Sequence, residues 1–431
     1  MDIVRITFSI IAIVGMLVLL IVKPSINIKG KTFQTFWFIP FICALVLICS
    51  LAVPFDQLKE FFFAKNTVNP LQILLLFFSM AFISTILDEA GFFAYLASKV
   101  VDKAKGNQLK VFVFIYLLTS VLTIFTSNDV ILFTFTPFLL YFTKHAKINP
   151  LPFLIAEFVA ANTWSIFFII GNPTNVYLGE SFHLTFVSYF THMWLPTLLA
   201  GITSFIVMFV MFFKKLKAPF TGDCEIHPIE DQFLLTASLI ALGGCLIAMV
   251  ISSFLDIPLW LISVIAAGAL LITSSIYSIA KKDGKHLFNS FKRLPYDLIP
   301  FLLSMFIIVL ALKNSGVINY FASFMNNTDV IWSYGGLSFI GANLLNNIPM
   351  SVFFTEIIKS QSVAANATYA SIIGSNIGAI FTPFGALAGI MWMSILKRND
   401  VKFNFLDFVK YGSIIAIPTM AVSLLGLYAN F

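Results

Sequence analysis

The chain has 431 residues, of which 59% are apolar and only 11% are charged, and its formal net charge is +6. A soluble globular core does not accommodate such a composition, so the chain is predicted to be an integral protein of a lipid bilayer. The positive charge does not indicate nucleic-acid binding, because the basic residues fall in short loops rather than on one face.

Ten segments are long and apolar enough to cross a hydrocarbon core about 30 Å thick, which takes about 20 residues of helix. The predicted spans are residues 3–22, 34–53, 70–88, 151–178, 193–213, 233–254, 257–280, 296–313, 366–395 and 407–430. The predicted fold class is therefore an all-α polytopic membrane protein.

Two further apolar stretches, 109–143 and 329–360, are too long for one helix and are interrupted midway by polar residues. One interpretation is two full crossings joined at the far surface. A re-entrant hairpin with a buried polar tip fits better, because irregular backbone at that depth is tolerated where protein or a water-filled cavity satisfies it.

The two halves of the chain share sequence. Residues 78–99 align without gaps with residues 303–324, with eight identities in 22 positions, where about two are expected by chance. Further on, Asn162 and Gly171 pair with Asn376 and Gly385 in the same order. Accidental likeness of two apolar helices is the alternative, but internal duplication is typical of secondary transporters whose site lies between the repeats.

The distribution of basic residues predicts the orientation. With both termini outside and both hairpins returning to their side of entry, 21 of the 26 basic residues lie on one side, and the others are Arg5, Lys59, Lys65, Lys313 and Lys359. The rich side is predicted to be cytoplasmic. The first repeat is then 1–213, the cytoplasmic linker 214–232 and the second repeat 233–431, with inverted topology in the plasma (inner) membrane.

The polar tips of the two hairpins are the first candidate site. Ser127, Asn128 and Asp129 interrupt the first hairpin, and Asn346 and Asn347 interrupt the second. These side chains could cap a restarting helix or hold a ligand. Asp129 is a carboxylate near mid-membrane, where a charge costs about 2.5–3.5 kcal/mol, so it is a candidate proton or cation site.

Two spans carry helix breakers at matching positions. Residues 171–175 (GNPTN) interrupt 151–178, and residues 382–385 (TPFG) interrupt 366–395. Each span is predicted to unwind halfway across the membrane and to expose carbonyls and half-helix ends to a solute. A simple proline kink is the alternative for either span alone.

Three other carboxylates need separate interpretations. Asp88 and Glu89 end a span at the cytoplasmic boundary, which favours an interfacial role over a direct one. Glu157 lies inside a span, where it could hydrogen-bond within the bundle or face a cytoplasmic vestibule. The cysteines show no CxxC spacing and the five histidines fall in loops or at helix ends, so neither a metal site nor a cofactor is predicted.

Together these motifs resemble the arsenite/antimonite permeases of the ion transporter superfamily. The resemblance rests on residues 87–93 (LDEAGFF), Asn128-Asp129, 346–349 (NNIP), 374–378 (GSNIG) and 382–385 (TPFG), in the family's order over nearly the whole chain. It implies a scaffold of spans 1–3 and 6–8, and a moving transport part of both hairpins with spans 4, 5, 9 and 10. It also implies an elevator mechanism and, often, a homodimer.

Two differences between this chain and the families that it resembles concern the identity of the solute. Arsenite permeases resemble GCDLG where this chain has GSNIG at 374–378, so a thiol and a carboxylate are replaced. The GNPTN break resembles the anion and dicarboxylate branches of the superfamily, whereas their paired Ser-Asn-Thr signature is absent from the second hairpin.

The sequence therefore predicts a secondary transporter, not an enzyme, for a small inorganic or organic anion or a metalloid oxyacid, coupled to H⁺ or Na⁺. A cation/proton antiporter is the alternative within this class, and a passive anion channel and an intramembrane lipid enzyme are less favoured. The predicted site comprises Ser127, Asn128, Asn162, Gly171, Asn172, Thr174, Asn175, Asn346, Asn347, Ser375, Asn376, Thr382 and Gly385, with Asp129 and Glu157 as ion-coupling candidates.

Overall fold

The computed structural model describes residues 1–23, 25–28, 31–63, 70–220, 227–252, 254–255, 257–325, 329–361 and 364–430. Within these ranges the protein is all-helical apart from one two-stranded hairpin and two short 3₁₀ turns. Apolar side chains cover most helices on all sides, as expected where lipid rather than water surrounds the protein.

The first half of the chain contains ten helices among its described residues. In chain order its elements are α1 (Asp2–Val22), β1 (Ser25–Ile28), β2 (Lys31–Gln34), α2 (Phe38–Cys49), α3 (Phe55–Phe63), α4 (Pro70–Glu89), α5 (Phe92–Lys103), α6 (Gln108–Phe125), α7 (Asn128–His145), α8 (Leu151–Trp164), a 3₁₀ turn (Ile169–Gly171), α9 (Pro173–Ser181) and α10 (Phe186–Leu216).

The second half also contains ten helices in its described part. Its elements are α11 (Gln232–Ser252), α12 (Leu259–Lys281), α13 (Lys285–Arg293), α14 (Leu298–Asn314), α15 (Val317–Met325), α16 (Val330–Leu345), α17 (Asn347–Lys359), α18 (Ala364–Phe381), a 3₁₀ turn (Pro383–Gly385), α19 (Leu387–Arg398) and α20 (Phe405–Ala429).

Eight helical segments of the described chain are long and apolar enough to cross a bilayer. They comprise α1, α4, α6, α10, α11, α12, the segment Lys285–Asn314 and α20. The predicted spans 34–53, 151–178 and 366–395 contain shorter or interrupted helices instead, because proline and glycine break the last two.

The short hairpin of β1 and β2 lies in a fold that is otherwise helical over the described residues, as predicted. Its strands pair antiparallel, with Ser25 opposite Gln34 and Ile28 opposite Lys31. The predicted span 34–53 therefore begins later than expected, as a helix of 12 residues from Phe38. The β-branched residues Ile26, Ile28 and Thr32 favour a strand.

The helices pack in two groups. In one group α1, α2, α4, α11, α12 and α14 contact one another, and in the other α6, α8, α10, α16, α18 and α20 do so. The helices α7, α9, α17 and α19 belong with the second group and reach its interior. The contacts between α14 and α17 and between α4 and α9 join the two groups, and the candidate site lies near them.

Gly91 and Gly316, which the internal alignment pairs, occupy equivalent turns. Gly91 follows α4 with φ of 84° and Gly316 follows α14 with φ of 78°. Both values lie in the left-handed region, which glycine enters without strain. Each glycine lets a long helix end and a short helix, α5 or α15, leave at an angle.

Candidate functional site

The first tip is formed where α6 ends and α7 begins. Ser127 caps α7, since its Oγ accepts a hydrogen bond from the Val130 N–H. The Asn128 side chain is therefore not the cap, and its Nδ2 donates to Asn162 Oδ1 over 3.3 Å. Asn162 in turn donates to the Phe158 carbonyl, which fixes both amide orientations. Asn128 Oδ1 is left buried without a hydrogen-bond donor among the described residues.

The second tip lies between α16 and α17 and is strained. Asn346 has φ of 73° and ψ of 152°, a region that is essentially reserved for glycine. Its Nδ2 donates to the Phe384 carbonyl over 3.1 Å, so its Oδ1 faces away from that bond. Asn346 Oδ1 and Asn347 Oδ1 are both buried without a donor in the described part of the chain. Strain of this kind persists where surrounding structure enforces it, and it concentrates at functional sites.

Both predicted helix breaks are present. After α8 the chain makes a 3₁₀ turn and restarts as α9, where Asn172 Oδ1 accepts a hydrogen bond from the Thr174 N–H. After α18 it makes another 3₁₀ turn and restarts as α19, with Thr382 Oγ1 accepting from the Phe384 N–H. Thr382 also donates to Asn343 Oδ1 on α16 over 2.6 Å, which ties this break to the second hairpin.

The first break is joined to α18 of the other half by amide side chains. Asn376 Nδ2 donates to Asn175 Oδ1 over 2.7 Å, and Asn376 Oδ1 accepts from Asn172 Nδ2 over 2.8 Å. Asn376 Oδ1 also accepts from Ser165 Oγ, while Asn175 Nδ2 donates to the Ser165 carbonyl. All four side chains are buried. Because their polar groups are satisfied by one another, these side chains hold the breaks together.

A cavity of about 70 Å³ lies where the tips, the breaks and the other helix group meet. Its polar wall is formed by Gln34, Asn128, Asp129, Asn172, Asp297 and Asn347. Apolar residues from β2 to α19 close the rest, including Phe36, Phe133, Leu298, Leu387 and Met391. A water molecule needs about 10–15 Å³ of such space, so the cavity can hold a solute of a few heavy atoms.

The predicted residues thus divide into two sets. Asn128, Asp129, Asn172 and Asn347 line the cavity, whereas the other predicted residues support it or lie outside its wall. These others are Ser127, Asn162, Thr174, Asn175, Asn346, Ser375, Asn376 and Thr382, together with Gly171 and Gly385, at which an added Cβ would collide with the backbone of Ser165 or Gly378.

The predicted carboxylates lie apart from one another. Asp129 is partly exposed to the cavity. Glu157 is fully buried in α8 and does not line the cavity, and Thr136 Oγ1 donates to its carboxyl over 3.0 Å. Asp88 and Glu89 both form ion pairs with Arg293 of α13, which is the interfacial kind of role that the sequence favours.

Asp297 is a site residue that the sequence does not single out. It directly precedes α14 and brings a second carboxyl to the cavity, and its Oδ1 accepts a hydrogen bond from Trp37 Nε1 over 3.2 Å. In sequence it has the signature of an ordinary helix start at a membrane boundary. The sequence does not single out Gln34 either, because this last residue of β2 coincides with the start of the predicted apolar span 34–53.

This fold, with two broken helices meeting two polar tips, defines a polytopic membrane transporter. A family model for arsenical pump membrane proteins (ArsB) matches residues 12–431. The chain therefore belongs to the ArsB family.

Known proteins of similar sequence carry the same family description. The arsenical pump membrane protein of Yersinia enterocolitica is 28% identical over 373 residues, covering 81% of this chain and 84% of the relative. That of Escherichia coli K12 is 27% identical with the same coverage. Among solved structures, the YdaH transporter of Alcanivorax borkumensis has a TM-score of 0.55 at 12% identity, covering 99% of this chain and 96% of its own, which indicates a shared fold.

Proposed function

We propose that the chain is a secondary transporter that moves a small metalloid oxyacid in its uncharged, hydroxylated form, coupled to protons through Asp129. The observation that carries the proposal is the cavity between the two tips, where the amide oxygens of Asn128 and Asn347 have no hydrogen-bond donor among the described residues. Such oxygens are acceptors, so they fit a solute that offers O–H groups.

The charge of the cavity supports an uncharged solute over an anion. Among the described residues its wall includes two carboxyls, Asp129 and Asp297, and no lysine, arginine or histidine. An anion would meet like charges there without a cation to offset them, which costs free energy in a poorly solvated site. The arsenical-pump description of the relatives supports the same solute class.

A cation/proton antiporter is a second candidate, and the same cavity favours it. Carboxylate and amide oxygens are also ligands for hard cations. Counterflow in proteoliposomes, with arsenite, phosphate, sulfate, dicarboxylates or Na⁺ as the internal solute, distinguishes the two. We expect arsenite to drive counterflow. Exchange of Na⁺ without arsenite counterflow would favour the antiporter, and channel-sized currents without saturable counterflow would contradict both.

We infer that the two helix groups have different roles in transport. The group of α1, α2, α4, α11, α12 and α14 is proposed as a scaffold, and the group containing both tips and both breaks as an elevator-type transport body. The equivalent turns at Gly91 and Gly316 support two repeats, 1–213 and 233–431, with re-entrant hairpins at 109–143 and 329–360. An odd number of five spans per repeat would invert the second half. A homodimer through the scaffold remains part of the proposal.

The proposed orientation places both termini outside and the linker 214–232 in the cytoplasm, in the plasma (inner) membrane. Cys224 lies in that linker and outside the described residues, so labelling tests it independently of the structure. In a variant without Cys43, Cys49 and Cys245, an impermeant thiol reagent should label Cys224 only after the membrane is opened. Labelling in intact cells would overturn the orientation.

A further inference from the structure

Glu157 has a buried carboxyl that does not line the solute cavity. It is 0% exposed, and the Thr136 hydroxyl of α7 lies 3.0 and 3.1 Å from its two carboxyl oxygens. Trp392 of α19 is a second polar neighbour of this carboxyl. The buried indole N–H of Trp392 has no acceptor of good hydrogen-bond geometry among the described residues. The Thr136 hydroxyl and the Trp392 indole N–H are therefore two groups that can donate to the carboxylate when it ionises.

The helix α7 connects two cavities past this carboxyl. Asp129 and Phe133 line the solute cavity, and Pro137 lines a second cavity of about 1100 Å³. Thr136 follows Asp129 by seven residues, which is two helical turns, so both lie on one face about 10 Å apart along the axis. Glu157 is thus held between the two cavities by α7.

The helix α19 makes the same connection from the other side. Met391 lines the solute cavity, Trp392 lies beside Glu157, and Arg398 lines the second cavity. Exposed polar and basic side chains form much of that second cavity, including Lys144, His145 and Lys402. The proposed orientation places this vestibule on the cytoplasmic side.

We propose that Glu157 is a proton-relay residue between the cytoplasmic vestibule and Asp129; this rests on the proposed proton-coupled transport. A proton from vestibule water forms an O–H bond on the Glu157 carboxylate. That bond breaks when the proton passes to the Asp129 carboxylate through water. Phe133 lies between the two on the same face of α7 and closes the path until the tip moves.

Among the described residues, the charged and titratable groups on the helices around Glu157 do not pair with its carboxyl. They are Asp129, Tyr141, Lys144 and His145 on α7, Lys110 and Tyr116 on α6, Tyr189, His192, Lys214 and Lys215 on α10, Tyr369 on α18, and Lys397 and Arg398 on α19. Among the described residues the bonds to the Glu157 carboxyl come from Thr136, and none comes from a charged side chain. The carboxyl has no fixed counter-ion there, which suits a group that must bind and release a proton.

The first test measures proton flux and solute counterflow in the same proteoliposomes, with arsenite as the solute. Glu157→Gln keeps the size and an acceptor for Thr136 but does not titrate. We expect it to retain arsenite counterflow and to lose both arsenite-evoked proton flux and accumulation driven by a pH gradient. Glu180→Gln, the same change on α9, should keep all three activities. Wild-type proton flux in Glu157→Gln would overturn the relay.

The second test needs neither transport nor removal of the carboxyl. Infrared spectroscopy of the wild-type protein should show a buried carboxylic-acid band that disappears when the carboxyl ionises as the pH is raised. Thr136→Val removes the hydrogen bond and should shift that band in frequency, which assigns it to Glu157. A band that does not titrate, or that Thr136→Val leaves unchanged, would overturn the proposal. If arsenite drives no counterflow in the wild type, the proposed solute fails while this test still decides the relay.

Discussion

Asn376 of α18 donates a hydrogen bond to Asn175 of α9 over 2.7 Å, joining residues 201 positions apart at the centre of the protein. The bond connects the helix that restarts after the first break to the unbroken part of the span that contains the second. Because each amide also bonds elsewhere, neither has a free group to offer a solute. The pair fixes the relative position of the two halves on which the cavity depends.

Asn376→Ala should therefore destabilise the protein, whereas Asn347→Ala should not. The first change leaves Asn172 Nδ2 and Asn175 Oδ1 without their Asn376 partner, at about 1–3 kcal/mol for each unsatisfied group. Ser165 Oγ keeps its bond to the Asn162 carbonyl. The second removes an amide whose oxygen has no donor among the described residues. Thermal unfolding in detergent measures both. Equal unfolding temperatures for Asn376→Ala and the wild type would contradict the structural role of the pair.

Asp129→Asn should bind and exchange solute but lose coupling. The amide keeps the size and much of the hydrogen-bonding capacity of the carboxyl but does not titrate. We expect arsenite counterflow to persist while accumulation driven by a pH gradient disappears, both measured in proteoliposomes. Unchanged dependence on the proton gradient would show that Asp129 is not the coupling residue.

The ion pair of Lys313 and Glu356 should stabilise this conformation. Lys313 ends α14 of the proposed scaffold, and its Nζ lies 2.7 Å from the nearly buried Glu356 carboxylate on α17. Lys313→Ala leaves only Lys359, at 3.8 Å, to offset that charge. We expect a loss of stability below the roughly 3–5 kcal/mol of a fully buried pair.

The matched control for this pair is Lys359→Ala. It should lower stability less, because Lys359 Nζ lies farther from the Glu356 carboxylate than Lys313 Nζ does. The double variant Lys313→Glu, Glu356→Lys restores opposite charges and should recover part of the loss. The unfolding temperatures of the wild type, Lys313→Ala, Lys359→Ala and the double variant are compared. No difference in unfolding temperature between Lys313→Ala and the wild type would show that the pair across the two helix groups contributes nothing measurable.

Asp231 should make stability depend on pH. Burial alone would raise the pKa of its carboxyl, but hydrogen bonds from the Leu234 N–H, Lys281 and Tyr277 outweigh burial and lower the pKa. A carboxyl whose pKa is lowered by folding stabilises the protein above its unfolded pKa of about 4, and this contribution is lost as pH falls below that value.

Asp231→Asn should accordingly lower the unfolding temperature at neutral pH, and the difference from the wild type should shrink in acid. The substitution also weakens the cap of α11, because Asp231 Oδ1 accepts from the Phe233 and Leu234 N–H groups over 3.0 Å. Unfolding temperatures of both proteins across the acidic range provide the test. A difference that does not change with pH would assign the effect to capping alone.

The sequence predicted the elements that create the site, because backbone chemistry determines them. Pro173 and Pro383 lack an N–H, each lies two residues from a glycine, and both spans are interrupted there. Proline alone is not sufficient, because Pro137, Pro196 and Pro418 lie inside continuous helices. The sequence did not predict which amides face the cavity, because Asn128 and Asn175 have the same chemistry and differ only in their partners. The sequence did not predict Asp297 for a related reason, since its position near the tips depends on how the two helix groups pack. The β1–β2 hairpin lies almost entirely between the predicted spans 3–22 and 34–53, in a segment for which hydropathy made no prediction of secondary structure.

The central claim, that the cavity between the tips binds the transported solute, is tested most directly by arsenite counterflow with Asn347→Ala beside the wild type. Asn319→Ala, which changes an exposed amide on α15 that lines neither of the two cavities, is the control. The account predicts saturable counterflow for the wild type and the control, and a strongly reduced rate or affinity for Asn347→Ala at unchanged thermal stability. Wild-type kinetics in Asn347→Ala would contradict it.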